Sequence, residues 1–212
     1  MLQKKLKLKY AEILQGNFKL SDLNLLLIFQ VNCPGCFLYA LPVAVELFEN
    51  YKKMTSFKIL GLSTAFEDFE SNTLEHTKHL LKKRELIGET KKAMSVKGFE
   101  RLPFRIPFDV AFDELKPKSK SNIDKEVESY CETLDGYKAA SKEKKDFIRV
   151  EVDRYFANKL FDAYTFDKNN LAGTPSWVLF DKNLHIYHEA FGHQSYIFFD
   201  RMIKKLLEMG KG

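Results

Sequence analysis

The sequence predicts an α/β fold in which helices flank a central mixed β-sheet. Two short runs, one continuously apolar at residues 25–29 and one largely apolar at Phe57–Ser63, are typical of strands that are buried on both faces. A segment with helical periodicity lies between them, so the three elements form a βαβ unit with parallel strands. A β-hairpin near the end of the chain adds antiparallel strands. We predict a single domain over residues 1–212, long enough to bury a sizeable core.

The first helix is predicted over residues 33–53. Its apolar residues recur at helical spacing. They are Phe37, Leu38, Leu41, Val45 and Phe48. Pro34 suits the first helical turn, because the N–H that proline lacks would be unpaired there in any case. Pro42 lies inside the segment and is predicted to kink the helix.

Two cysteines stand at the start of this helix, in the motif Cys33-Pro34-Gly35-Cys36. The free N–H groups and the positive dipole end of a helix N-terminus stabilise a thiolate, which can lower its pKa from about 8.5 to roughly 3.5–7.5. Cys36 is close enough in sequence to form a small disulfide ring with Cys33. The pattern indicates thiol–disulfide exchange, although half of a zinc site has the same spacing.

Further elements follow from periodicity and turn residues. We predict helices at residues 72–84 and 88–98, a strand at 108–112, a hairpin of Ser176–Asp181 with 185–191, and a closing helix at 194–209. The first 20 residues form a lead-in, with a short edge strand predicted at residues 5–10, where Lys and Leu alternate.

Residues 115–168 are predicted to be a helical insertion. Apolar residues recur at helical spacing over residues 122–165, with Ser121 as the N-cap, and the charged stretch 116–120 is interpreted as a solvated linker. Cys131 lies on the apolar face of the first inserted helix. A buried structural thiol is therefore favoured over a resolving cysteine.

The histidines offer a candidate metal site. They are His76, His79, His185, His188 and His193. His76 and His79 are spaced to share a metal on one helix, but no third or fourth ligand is evident, so all five are interpreted as solvent-facing and no metal site is predicted. Trp177 is interpreted as a core or rim residue near the cysteines.

Charge and hydropathy exclude several function classes. The net charge of +5 is interspersed and forms no basic stripe, which argues against nucleic-acid binding. The chain shows no apolar segment that would serve as a signal peptide or membrane span, so a cytoplasmic location without membrane insertion is expected. A periplasmic or exported location is the alternative if a signal segment was removed.

The motif Cys33-Pro34-Gly35-Cys36 after an apolar strand, together with Gly173-Thr174-Pro175 before another, resembles the thioredoxin-like superfamily. The similarity is greatest to its redoxin branch, the TlpA-type thiol–disulfide reductases and alkyl-hydroperoxide-reductase-like domains. It covers roughly residues 25–66, 108–112 and 169–207, and residues 113–168 lie outside it. The helical insertion therefore precedes the Thr-Pro strand.

This resemblance implies roles for the motif residues. Pro175 would be cis and pack beside the dithiol, and an extended substrate would bind along Thr174, Pro34 and Gly35. Cys33 would be the nucleophile and Cys36 the resolving thiol. The expected substrate is a disulfide-containing protein or small thiol, a dithiol protein would donate electrons, and no cofactor is needed.

Two positions depart from the thioredoxin pattern and affect proton transfer. Asn32 precedes the first cysteine where thioredoxins usually carry Trp, and Leu27 stands where thioredoxin has a buried carboxylate. Proton transfer must then use water or another group. We consider Glu67 or Asp68, which follow the second strand, as the candidate group for proton transfer.

Two other function classes remain open. A thiol peroxidase-like redoxin is one, although Gln30 and Leu26 stand where a peroxiredoxin would carry Thr and Pro. A non-catalytic adaptor module that keeps only the fold is the other. The intact cysteine pair favours an oxidoreductase.

Overall fold

The computed structural model describes residues 4–118, 123–134 and 136–209. The chain divides into two compact units, one of Met1–Leu115 with Ala163–Gly212 and one of Lys116–Asp162. The helical insertion predicted over residues 115–168 overlaps the second unit, whereas residues 163–168 cluster with the first. That the chain is a single domain stays a prediction.

The strands of the described residues are numbered in chain order. They are β1 (Tyr10–Gln15), β2 (Leu23–Phe29), β3 (Phe57–Ser63), β4 (Asp109–Asp113), β5 (Leu115–Pro117), β6 (Phe161–Ala163), β7 (Ser176–Asp181) and β8 (Ile186–Phe191). The α-helices are α1 (Leu41–Tyr51), α2 (Leu74–Lys83), α3 (Gly88–Val96), α4 (Ile123–Thr133), α5 (Lys142–Asn158), α6 (Tyr164–Lys168) and α7 (Tyr196–Met209).

The central sheet of the first unit has six strands in the order β1-β4-β3-β2-β7-β8. Strand β3 pairs in parallel with both β2 and β4, and the three remaining pairs are antiparallel. The predicted α/β fold with a central mixed sheet is therefore confirmed. The two-residue side-chain period of strands β2, β3 and β7 places apolar residues on both faces of this sheet.

The burial of strand β2 explains why residues 25–29 are apolar without interruption. Leu25, Leu27 and Phe29 pack into a core with residues of α1 and α7, whereas Leu26 and Ile28 pack into a second core on the opposite face. Every residue of the strand is buried. Because both faces are covered, the strand has no polar alternation.

The first helix is less regular than the sequence predicts. Helical backbone begins at Pro34, but a π-helical turn spans Cys36–Ala40 before α1 begins at Leu41. The Leu41 N–H donates to the carbonyl of Cys36, five residues earlier. Pro42 occupies the first turn of α1, where a wider turn accommodates a ring that would clash with the carbonyl four residues before it.

The edge strand predicted at residues 5–10 is wrong, because the edge strand β1 covers Tyr10–Gln15. Lys5 makes only an isolated bridge to His185. A turn after β1 sets its pairing with β4, since the Asp109 carboxylate accepts the Phe18 N–H at 2.9 Å. This contact joins residues far apart in sequence, so alternation alone could not locate the strand.

The second unit contains the α4–α5 helix pair. Its core consists of Val127, Cys131, Val152 and Phe156. The Cys131 side chain is 1% exposed, as predicted for a structural thiol. Ser121, the predicted N-cap of the first inserted helix, lies outside the described residues.

Two predictions at the ends of this segment are wrong. The predicted linker over residues 116–120 overlaps strand β5 in its described part, residues 116–118, and residues 119–120 lie outside the described residues. The predicted helical segment over 122–165 ends before strand β6. The two strands pair in a separate two-stranded sheet. Strands of three residues are too short to produce a detectable alternation. Among the described helices, none is both long and apolar enough to cross a bilayer.

Two glycines with positive φ provide a test of the β1 turn. Gly16 has φ +74°, and a Cβ there would overlap the Asp109 carboxylate, whereas Gly98 has φ +82° and open space around it. Both Gly→Ala changes incur backbone strain of about 1–2 kcal/mol. We expect Gly16→Ala to lower the free energy of unfolding by about 1–3 kcal/mol more than Gly98→Ala, because the added Cβ also overlaps the Asp109 carboxylate.

Urea denaturation of the two variants measures this difference. Equal losses of stability would show that the contact between Asp109 and the turn does not hold β1 in place.

Candidate active site

The cysteines and the Thr-Pro turn meet because of how β2 and β7 pair. These strands are antiparallel, and Ile28, near the end of β2, lies opposite Ser176, the first residue of β7. The chain reaches Cys33 just after β2 and leaves Pro175 just before β7. The two segments therefore share one edge of the sheet.

The two cysteines are free thiols in close contact. The Cys36 N–H donates to Cys33 Sγ at 3.4 Å, and Cys33 Sγ lies 3.3 Å from the carbonyl oxygen of Thr174. A Cβ at Gly35 would lie 3.7 Å from Cδ of Pro175, and the Thr174–Pro175 peptide bond is cis. The predicted site residues that lie together here are Cys33, Pro34, Gly35, Cys36, Thr174 and Pro175.

The environment of Cys33 favours its thiolate. Its pKa is lowered from 9.0 to about 6, chiefly by the hydrogen bond from the Cys36 side chain. Partial burial opposes this shift, whereas the Thr174 side chain and the backbone N–H groups of Cys36 and Gly35 add to it. Donors at the first turn of a helix are therefore what stabilise the charge.

Cys36 has the opposite tendency. Its side chain is fully buried, and burial raises its pKa well above the usual value, with the neighbouring Cys33 thiolate as the second cause. At neutral pH the pair thus consists of a half-buried Cys33 thiolate and a buried Cys36 thiol. This asymmetry suits Cys33 to attack a disulfide first.

No protein-family model and no curated protein sequence matches the chain. Among solved structures it is similar to a thiol-disulfide isomerase from Corynebacterium glutamicum, with a TM-score of 0.58, 19% identity and 97% of each chain covered. It is also similar to a thioredoxin-like superfamily protein, with a TM-score of 0.56, 18% identity, and coverage of 97% of this chain and 96% of that one. The chain has a thioredoxin-like fold. At these identities the likeness establishes the fold.

Asn32, where thioredoxins usually carry Trp, anchors the segment before Cys33. Its Oδ1 accepts the Glu89 N–H at 2.7 Å, and its Nδ2 donates to the Asp68 carboxylate at 3.1 Å. Its backbone N–H donates to Oδ1 of Asn72 at 2.9 Å. Gly88 has φ +48°, and a Cβ there would overlap the Asn32 side chain. These bonds hold the residue before Cys33 in place within this thioredoxin-like fold.

The carboxylates considered for proton transfer have hydrogen-bonding and burial environments of their own. Leu27 is buried in the core, so no acid stands at that position. The Asp68 carboxylate is bonded to Asn32, and burial is the main cause of a raised Glu67 pKa. Among the hydrogen bonds of the described residues, none joins either carboxylate to a cysteine. Their role in proton transfer stays a prediction.

Gln30 is a site residue that sequence reasoning missed. It is 2% exposed, at the end of β2. Its Oε1 accepts the Thr174 hydroxyl at 3.0 Å, and its Nε2 donates to the backbone carbonyl of Glu67 at 3.2 Å. The sequence does contain a signal for this role, since Gln30 is a polar residue directly after a buried strand and three positions before Cys33.

The histidines do not gather at one place. His76 Nδ1 contacts the Ser71 carbonyl at 2.7 Å, whereas His79 lies within 3.5 Å of both Glu75 and Glu85 carboxylates. Over residues 4–118, 123–134 and 136–209, no group of three or more His, Cys, Asp or Glu side chains is arranged to hold a metal ion.

His188 and Trp177, on the last two strands of the sheet, are both withdrawn from solvent. His188 is half-buried, with its ring 5.0 Å from that of Phe198, and burial lowers its pKa, so the prediction that it faces solvent is wrong. Trp177 is fully buried, and its Nε1 donates to the Gly192 carbonyl at 3.2 Å. It is a core residue next to the Thr-Pro turn.

The alkylation rate of Cys33 tests the difference in pKa between the two cysteines. With a pKa of about 6, Cys33 is roughly 90% thiolate at pH 7, and this fraction falls as the pH drops through 6. We expect the rate of iodoacetamide labelling of the reduced protein to follow this titration, with Cys33 modified well before Cys36. Peptide mapping by mass spectrometry after timed quenching measures both rates. A midpoint near pH 9 for Cys33 would contradict the proposed environment.

Proposed function

We propose that the protein is a thiol–disulfide oxidoreductase that acts as a reductase by dithiol–disulfide exchange. The observation that carries this proposal is the contact between two thiols of unequal exposure beside the Thr-Pro turn. Cys33 is half-buried with a lowered pKa, and Cys36 is buried beside it with a raised pKa. A reactive thiolate next to a protected thiol is the arrangement that two successive exchange steps require.

The first step is attack by the Cys33 thiolate on one sulfur of a substrate disulfide. A bond forms between Cys33 Sγ and that sulfur, and the other substrate sulfur leaves as a thiolate and takes up a proton. Cys36 then attacks Cys33 Sγ and releases the second substrate thiol. The substrate gains two electrons, and Cys33 and Cys36 end as a disulfide.

The substrate segment is proposed to lie along the Thr-Pro turn. The Thr174 carbonyl oxygen faces Cys33 Sγ at 3.3 Å in the reduced protein. Once Cys33 ionises, its sulfur no longer has a proton to donate, and this carbonyl becomes available to a backbone N–H of an extended substrate. Pro34, Gly35 and Pro175 would form the walls around that segment.

The proposed substrate is a disulfide-containing protein or small thiol compound, and another dithiol protein would return the electrons. We propose the reductase direction on the expectation of a cytoplasmic location, where thiols are kept reduced. The exchange steps use only sulfur atoms and protons, so no cofactor takes part in them.

Substitutions of the individual cysteines test this proposal. We expect Cys33→Ser to abolish reduction of insulin disulfides by the protein with dithiothreitol as electron donor, because the attacking sulfur is gone. Cys36→Ser should instead accumulate a mixed disulfide between Cys33 and the substrate, since the resolving thiol is missing. Turbidity follows insulin reduction, and non-reducing electrophoresis with mass spectrometry identifies the trapped species.

Cys131→Ala is the matched control, because Cys131 is buried in the second unit and is expected to have no part in exchange. It should retain the wild-type rate. Full activity of Cys33→Ser would rule out the proposed mechanism.

A further inference from the structure

The net positive charge of the chain is concentrated in one segment. We define the basic segment as residues 82–105, which include the end of α2, all of α3 and the turn after it. It contains eight Lys and Arg residues but only three Asp and Glu residues, so it accounts for the entire net charge of +5. We expected the charges to be interspersed over the whole chain, and this holds only outside the basic segment, where acidic and basic residues are equal in number.

We propose that the basic segment is a docking surface for an acidic, disulfide-containing protein, and that it holds this substrate with the disulfide at Cys33. The inference rests on the proposed function and names the substrate class of that same site. Three observations carry it. They are the unpaired cations of the segment, the exposed apolar side chains among them, and the attachment of α3 to the residue before Cys33.

Most cations of the basic segment have no partner within the chain. Lys92 pairs with Glu89 at 2.6 Å, and this is the only ion pair or side-chain hydrogen bond that a cation of the segment makes within the described residues. The other seven cations are Lys82, Lys83, Arg84, Lys91, Lys97, Arg101 and Arg105. Those at the ends of α2 and α3 lie near the negative ends of the helix dipoles, which they stabilise. The cations elsewhere in the segment have no structural role of this kind.

Backbone contacts bring the two ends of the basic segment together. The Leu102 N–H donates to the carbonyl of Arg84 at 2.9 Å, and Glu85 forms an isolated antiparallel bridge with Arg101. Arg84, which follows α2, therefore lies beside Arg101, which follows α3. Unpaired cations on neighbouring segments repel one another, and the binding of an acidic partner would relieve this repulsion.

Apolar side chains are exposed among these cations. Val96 is 85% exposed, the highest value for a large apolar side chain of the described residues, and Phe99 is 41% exposed. Gly98, between them in sequence, has φ +82°, and a Cβ there would have no atom within 4 Å, so the turn is open to solvent. Cations combined with exposed apolar side chains suit a protein partner better than a nucleic-acid backbone, whose phosphates offer no apolar contact.

Helix α3 attaches the basic segment to the candidate active site. The Glu89 N–H donates to Oδ1 of Asn32 at 2.7 Å, and Asn32 directly precedes Cys33. Helix α3 also contacts the π-helical turn Cys36–Ala40. The axis of α3, over Gly88–Val96, is about 12 Å long, a distance that about four residues of extended chain span. Acidic residues about four positions from a substrate cysteine would therefore reach the basic segment.

Disulfide-linked peptides of different charge test the proposal. Each has a fluorophore and a quencher on opposite sides of its disulfide, so that reduction raises the fluorescence. The Glu, Lys and Ser peptides carry a cluster of the named residue about four positions from the cysteine. Stopped-flow fluorescence with excess reduced protein gives a second-order rate constant for each peptide, at about 0.01 M and about 1 M salt, where the Debye length is about 30 Å and about 3 Å.

We expect the wild-type protein at low salt to reduce the Glu peptide about tenfold faster than the Lys peptide, because opposite charges steer association. At high salt the difference should fall to about twofold or less, because salt screens exposed charges. The double variant Lys91→Glu with Lys97→Glu should remove most of the preference at low salt. Lys91→Gln with Lys97→Gln should act in the same direction, and it provides the test if the first variant does not fold.

Lys19→Glu with Lys53→Glu is the matched control, because it makes the same change in net charge at two exposed lysines outside the basic segment. It should keep most of the preference for the Glu peptide. Equal rates for the Glu and Lys peptides, or an equal loss of preference in the control, would overturn the docking surface. Binding of a duplex oligonucleotide or of anionic vesicles that depends on Lys91 and Lys97, without a preference among the peptides, would overturn it too.

The outcomes distinguish this inference from the proposed function. Reduction of the Ser peptide depends only on the exchange chemistry, and failure of the wild-type protein to reduce any of the three peptides would overturn the proposed function. A Glu peptide with Ser in place of its cysteines tests the surface without exchange. Its fluorescence anisotropy should show binding that is weakened in Lys91→Glu with Lys97→Glu, and equal binding by the two proteins would overturn the docking surface.

Discussion

The antiparallel pairing of β2 with β7 is the constraint on which the candidate site depends. It runs from Leu23 opposite Asp181 to Ile28 opposite Ser176. This register brings the segment after β2 and the turn before β7 to one sheet edge, although their sequences are far apart. A slip of one strand by one residue would exchange the side chains that this strand places in the two cores, so the packing of the two cores holds the register.

Burial then makes two chemically identical thiols different. Cys33 is half-buried and receives hydrogen bonds that favour its thiolate, whereas burial of Cys36 favours its protonated form. Asn32 holds the preceding segment against the start of α3 and the loop after β3. The site is therefore an arrangement of hydrogen bonds that tunes sulfur chemistry, with Asn32 where thioredoxins usually carry Trp.

Much of this fold can be predicted from the sequence, because buried strands such as Phe57–Ser63 and Ser176–Asp181 are largely apolar runs. The cysteine motif at a helix start and the distant Thr-Pro pair likewise indicate the dithiol site. Strand β1 could not be located, since its pairing depends on the Asp109 contact with the following turn. The roles of Asn32 and Gln30 were missed because their bonding partners lie 36–57 and 37–144 residues away, respectively.

An equilibrium redox titration tests the central claim most directly, namely that Cys33 and Cys36 interconvert between dithiol and disulfide. The protein is equilibrated in buffers of defined thiol–disulfide ratio, quenched by alkylation and analysed by mass spectrometry. The account predicts one reversible two-electron transition confined to these cysteines, with a potential of roughly −120 to −270 mV. A pair that forms no disulfide in any buffer, or one with a potential below about −300 mV as in structural disulfides, would contradict it.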